Sequence, residues 1–185
     1  MMLIDTKELL PQYIKKVYEN ILKGNFINEN SFKNGNSELY EAIMLQESEV
    51  RAYFETIGYI LIKREGYFYF AHDGASDSVS ALEKMVDYID IASFLKTVDS
   101  NFGVGYRFRL NSIENQLNNS IELQDLAYKM KGINANDNRE FVQKIVEKLK
   151  KDGFLEEVNS TNSEYIILNS YDYIESFLNE VEVYE

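Results

Sequence analysis

Two stretches of this chain share one pattern, and that repetition constrains its fold more than any other feature. In SEVRAYFETIGYILIKREGYFYFAHDG (residues 48–74) the apolar residues Val50, Tyr53, Phe54 and Ile57 fall at i, i+3, i+4 and i+7, the stripe of an amphipathic helix. Gly58 ends the stripe, and the period then shortens from roughly 3.6 residues to about 2. Tyr59 to Lys63, the turn Arg64-Glu65-Gly66 and Tyr67 to Ala71 read as a β-hairpin. About 95 residues later the same order returns. Phe141, Val142, Ile145, Val146 and Leu149 stripe a helix, Gly153 ends it, and FLEEV, NSTNS and EYIIL follow as strand, turn and strand. Two occurrences, each preceded by shorter helices, predict a structural duplication.

The flanking segments fit around these units. A first helix is expected from Lys7 to Lys23, with Leu10, Ile14, Val17 and Ile21 on one face, Asp5 or Thr6 as cap and Pro11 near the first turn. Gly24 stops it, and a loop rich in Asn then holds a short strand at Phe26-Ile27. Ser37 opens a second helix through Leu45, with Leu39, Ala42 and Ile43 inward. HDGASDS is the linker. A long helix follows from Val79 to Val98, carrying Leu82, Met85, Val86, Ile89, Ala92 and Leu95. NFGVGYRFRL reads as a turn and a strand with Tyr106, Phe108 and Leu110 on one face and Arg107 and Arg109 on the other. IELQDLAYKMK is a short helix with Leu123, Leu126, Ala127 and Met130 inward. Asp137 and Glu140 form a capping box for the striped helix after it. The tail adds a helix with Tyr173, Ile174, Phe177, Leu178 and Val181 inward.

Helix, helix, strand, turn, strand is the plan of a helix-turn-helix with a hairpin wing. The expected fold class is α+β, mostly α: two tandem winged-helix domains with β-hairpin wings and an extra C-terminal helix. The expected division is residues 1–75 and 76–185.

Composition narrows the chemistry. With 45% hydrophobic and 14% aromatic residues, the 185-residue chain has enough apolar material for packed cores. It has no cysteine, which removes disulfide frameworks, cysteine-based zinc fingers and thiol catalysis. The start, MMLIDTKELLPQYIKK, lacks the pattern of a signal peptide, and no apolar run reaches the roughly 20 residues of a membrane helix. A cytoplasmic protein is expected. The formal charge is −12, from 19 basic and 31 acidic residues. Such a surface repels nucleic acid unless the cations are gathered in one place.

In four elements the residues become more specific. Leu22-Lys23-Gly24, the helix Leu39 to Leu45, Tyr53-Phe54 through Gly58, and Glu65-Gly66-Tyr67 together resemble the N-terminal domain of MukE/MksE-type proteins. These are kite subunits, tandem winged-helix partners of kleisins in bacterial condensin-like SMC complexes, with relatives in Wadjet plasmid-defence systems. The likeness covers residues 9–71 by motif and residues 80–168 by architecture alone. It implies a homodimer that grips a kleisin, an SMC-type ATPase reached through that kleisin, and a nucleoid-associated role in chromosome condensation and segregation or in plasmid defence. It also implies that the protein helps hold DNA, that contact being weak and non-specific, and that ATP hydrolysis belongs to the partner. No cofactor is implied.

The candidate residues follow from charge and pattern. Seven basic residues lie between Lys129 and Lys151 against three acids, a local +4 that leaves −16 for the rest. This concentration falls on the helix that a winged-helix domain lays in the major groove. Arg139, Lys144, Lys148 and Lys151 are the candidate phosphate contacts, with Arg107 and Arg109 from the neighbouring strand. The competing reading is a solvated face laced by pairs such as Glu140–Lys144, Lys144–Glu147 and Glu147–Lys151. In the wing, two aromatics of Tyr67-Phe68-Tyr69-Phe70 must point away from the helices. Tyr67 and Phe68 are candidates for a dimer or kleisin interface, against burial within the chain.

No catalytic residues and no metal ligands emerge. His72 has no second His or Cys to join it, GVG lacks the third glycine and helix of a dinucleotide site, and no acid–base pair stands out. The rival to the complex subunit is a stand-alone winged-helix transcription regulator binding duplex DNA.

Overall fold

The computed structural model describes residues 6–33, 35–72 and 79–182, with side chains from residue 13 onward except those of residues 79–84 and 179–182. The expectations for Asp5, Leu10, Pro11, Leu82, Val181 and the linker after His72 lie outside the described residues. The chain is α+β and mostly helical, and it divides into two compact units, Met1–Ser76 and Asp77–Glu185.

In the first unit α1 (Thr6–Lys23), α2 (Asn36–Leu45) and α3 (Glu47–Glu55) surround a sheet of β1 (Ile27–Asn28), β2 (Tyr59–Arg64) and β3 (Tyr67–His72). The strand order is β1-β3-β2, antiparallel throughout. Val17, Ile21, Leu39, Tyr40, Ile43, Val50 and Phe54 of the helices pack with Ile27, Leu61 and Phe68 of the sheet into one core. The short strand sits one residue later than Phe26-Ile27. Asn36 fixes it: its side-chain oxygen accepts from the Asn28 N–H, and its amide donates to the Phe26 carbonyl at 3.2 Å.

Gly58 lies at φ +82, after α3 has closed with Gly58 N–H donating to the Glu55 carbonyl at 3.1 Å. A Cβ there would meet nothing within 4 Å, so the left-handed backbone alone is what asks for glycine. Because the helix ends at Glu55, the stripe read from the sequence is shorter than expected. Val50 and Phe54 are buried, whereas Tyr53 and Ile57 are exposed.

The second unit runs α4 (Val79–Val98), β4 (Arg107–Arg109), α5 (Leu110–Asn119), α6 (Ile121–Lys129), α7 (Asn138–Lys151), β5 (Leu155–Asn159), β6 (Glu164–Ile167), a 3-10 turn (Asn169–Tyr171) and α8 (Asp172–Glu182). Its sheet order is β4-β6-β5, again antiparallel. The stripe of α7 is buried at all five expected positions, as are Leu123 of α6 and Met130 just after that helix. Val86, expected inward on α4, is exposed. Gly153 repeats the role of Gly58 at φ +81.

Local hydrogen bonds shape the connections. The Asp137 carboxylate accepts from the Glu140 N–H at 2.8 Å, while Glu140 reaches back to the Asn136 N–H at 2.7 Å, so the capping box is stretched by one residue. GVG is part of the turn into β4, with Gly105 at φ +80 and Asp99 accepting from Tyr106 Oη at 2.6 Å.

Candidate nucleic-acid and partner surfaces

Strand register decides which aromatics of the first hairpin face which way. Leu61 pairs with Phe70 and Lys63 with Phe68, so these side chains share the face packed under the helices. Phe68 is fully buried there, with its ring 5.1 Å from Tyr40. The other face carries Ile60, Ile62 and Arg64 of β2 opposite Ala71, Tyr69 and Tyr67 of β3. Tyr67 belongs to this outer face yet is only 1% exposed, packed edge-on to Phe26 at 5.8 Å and stacked on Tyr69 at 6.2 Å.

The expectation that Tyr67 and Phe68 offer themselves to a partner is therefore corrected. Both are consumed by burial within the chain, because the inner face fills the helical core and Phe26 folds over Tyr67. What the outer face does present is Ile60, 38% exposed, with half-buried Ile62, Tyr69 and Ala71. Arg64, at the turn, is its one charged residue. An antiparallel sheet with a solvated face normally alternates apolar and polar; this one is apolar on both.

The sheet of the second unit does alternate. Phe108 and Tyr165, stacked at 5.6 Å, share one face with Leu155 and Ile167. Its other face carries Arg107, Arg109, Glu156 and Glu164 around Ile166, and Arg109 lies directly opposite Glu164. Both arginines are exposed, as expected, but they are interleaved with acids.

On α7, Arg139 is exposed at the N-terminal end and Lys151 at the C-terminal end, and neither makes an ion pair among the described residues. The two lysines between them are engaged. Lys144 pairs with Glu140 at 2.7 Å and donates to the Asn134 carbonyl. The Lys144 hydrogen bond, followed by those from Asn136, pulls the Glu140 carboxyl down to about 2. Lys148 meets Asp87 of α4 at 3.5 Å and lies 4.9 Å above the ring of Tyr88. Lys150 pairs with Glu157 at 3.1 Å.

Lys144, Lys148 and Lys151 share an open groove with Glu147, Tyr88 and Asp152. Of the pairs expected within the helix, Glu140–Lys144 forms. The contact of Lys148 with α4 was not legible, because it joins residues distant in sequence.

His72 ends β3, exposed, with its ring edge-on to Tyr59 at 5.3 Å. Among the described residues no group of three or more His, Cys, Asp or Glu gathers as a metal site would require. No described helix is long and apolar enough to cross a membrane.

Compared with known families, residues 12–178 match the family described as condensin complex protein MksE. The chain belongs to this family. The MksE match runs through both units, from within α1 to within α8, and so extends the motif-level likeness of residues 9–71 across the second half. A comparison with curated proteins finds no match.

Proposed function

We propose that this MksE-family chain is a non-catalytic, dimeric accessory subunit that binds the kleisin of a bacterial condensin-like complex and, through it, an SMC-type ATPase. The family match over residues 12–178 carries this reading. In each unit a helix, a strand, further helices and a closing hairpin follow in order, which supports describing both as winged-helix domains.

Dimerisation is assigned to the outer face of the first sheet. On a chain of formal charge −12, a second copy is repelled wherever acids face acids. Ile60, Ile62, Tyr69 and Ala71 form a face without acids, where apolar burial meets no such opposition. The basic face of α7 is assigned to weak, sequence-indifferent contact with DNA phosphates, made chiefly by Arg139, Lys144 and Lys151, with Lys148 joining when its pairing with Asp87 opens. Arg107 and Arg109 are secondary contacts, because Glu156 and Glu164 share their face.

The test is a tagged pull-down from the native host after nuclease treatment, with co-purifying proteins identified by mass spectrometry. Stoichiometric recovery of an SMC-like ATPase and a kleisin is expected. Recovery of the chain alone under mild salt would contradict the complex. The DNA assignment has its own check: Lys144→Glu with Lys148→Glu should abolish retention of duplex DNA, and unchanged retention would sink it.

A further inference from the structure

The middle of the basic stripe on α7 is held by its neighbour helix, and two contacts on Lys148 make that hold. The Lys148 ammonium pairs with Asp87 at 3.5 Å and lies 4.9 Å above the Tyr88 ring. Tyr88 is itself anchored: its hydroxyl donates to Asp152 Oδ2 at 2.6 Å, and its ring meets Phe154 edge-on at 5.1 Å. Asp87 has a prepared seat. A Cβ on Gly132 would lie 2.8 Å from the Asp87 carboxyl carbon, closer than such atoms pack, so glycine at 132 leaves the room the carboxylate occupies. Lys148 remains only 26% exposed as a result.

We propose that α4 is a latch on the nucleic-acid face: Asp87 and Tyr88 hold Lys148 back from a phosphate backbone, and opening the hold adds Lys148 to the contact. This inference rests on reading α7 as a phosphate-contacting surface. Asp87 competes with phosphate for the same ammonium, and the competing anion is already in place at a cost in ordering that DNA must match. Lys144 is detained differently, by Glu140 of its own helix, so the latch concerns Lys148 alone.

The measurement is fluorescence anisotropy of the full chain with a labelled duplex of mixed sequence over a series of KCl concentrations. The set is wild type, Asp87→Asn, Gly132→Ala, Lys148→Gln and the double variant Asp87→Asn/Lys148→Gln. Glu122→Gln on α6 serves as a control for the change in net charge. Gly132→Ala is the sharper probe, because it displaces the Asp87 carboxylate without altering charge, and φ at 132 is not in the left-handed region. Circular dichroism verifies that each variant is folded.

Asp87→Asn and Gly132→Ala should bind more tightly than wild type. The slope of log K against log salt should steepen by about 0.9, the signature of one more phosphate neutralised. The Asp87→Asn gain should vanish in the Lys148→Gln background. If Lys148→Gln shallows the slope while Asp87→Asn does no more than Glu122→Gln and Gly132→Ala does nothing, the latch is wrong and the phosphate surface stands. If neither wild type nor Asp87→Asn binds the duplex at low salt, the reading of α7 fails and the latch with it.

Discussion

The two units share an order of helix, strand, further helices and hairpin, to which the second adds a helix before the hairpin and α8 after it, and they give that order different surfaces. In the first, the helix before the hairpin, α3, has nine residues and a formal charge of −2, and the outer sheet face is aliphatic and aromatic. In the second, the corresponding helix, α7, has fourteen residues and a charge of +3, and the comparable sheet face carries two arginines and two glutamates. The ion pairs differ in part. Glu47 at the start of α3 takes Arg51 at 3.0 Å and Lys63 of the hairpin at 2.8 Å, tying helix to hairpin. Arg51 also donates to the Leu61 carbonyl at 2.6 Å. On α7, Lys150 ties the helix to its hairpin through Glu157 in the same way, whereas Lys144 and Lys148 are paired along a groove. The two units thus differ in surface chemistry, one with an apolar outer sheet face and the other with a mixed-charge sheet face beside a basic helix.

The largest expected effect sharpens the distinction between the inner and outer faces of the first hairpin. Phe68→Ala should destabilise the first unit by about 3–5 kcal/mol, as truncation of a buried aromatic does, read from the denaturation midpoint. Ile60→Ala on the outer face should change the stability of the monomeric chain by less than about 1 kcal/mol. Equal effects would erase the difference drawn here between the two faces. Next in size are the paired glycines. Gly58→Ala and Gly153→Ala should each cost about 1–2 kcal/mol, because both sit in the left-handed region.

Loss of the α7 cap by Asp137→Ala should cost about 1 kcal/mol. Gly35, which precedes α2 at φ +66, makes no side-chain cap, and Gly35→Ser gives no gain because a serine is strained in the left-handed region. Thermal unfolding of both variants measures the contrast.

The smallest effect is a titration. The folded-state value of Glu140 is about 2 against an ordinary 4.5, so its contribution to stability is complete above the ordinary value and is lost as pH falls toward 2. The Asn136 amide resonance should report a midpoint near 2, and Lys144→Ala should raise it. Glu47, lowered chiefly by its hydrogen bond from Lys63, should respond in the same direction to Lys63→Ala.

Much of the fold was legible because each element carried its own punctuation. The five-residue stripe of α7, its Asp137 cap and the two glycines are local signals, and they lie where the sequence places them. α5 was missed because it follows β4 without a spacer: Arg109 serves as its N-cap with no side-chain bond, and its asparagines read as loop. Leu110, Ile113 and Leu117, all buried, were the available signal. In Tyr67-Phe68-Tyr69-Phe70 alternation carries no information, since every residue is aromatic and a slip of one residue exchanges the faces. Only strand register assigns Phe68 inward. The candidate cations could be named from charge density and the Glu140–Lys144 pair from its spacing, but the hold on Lys148 depends on α4, which no local pattern reveals.

Sedimentation equilibrium of the wild-type chain beside an Ile60→Lys/Tyr69→Lys variant tests the central division of surfaces most directly. The account predicts a wild-type mass near twice 21.6 kDa and a folded variant near 21.6 kDa. A monomeric wild type, or a variant that stays dimeric, would contradict the assignment of the first unit's outer sheet face to self-association.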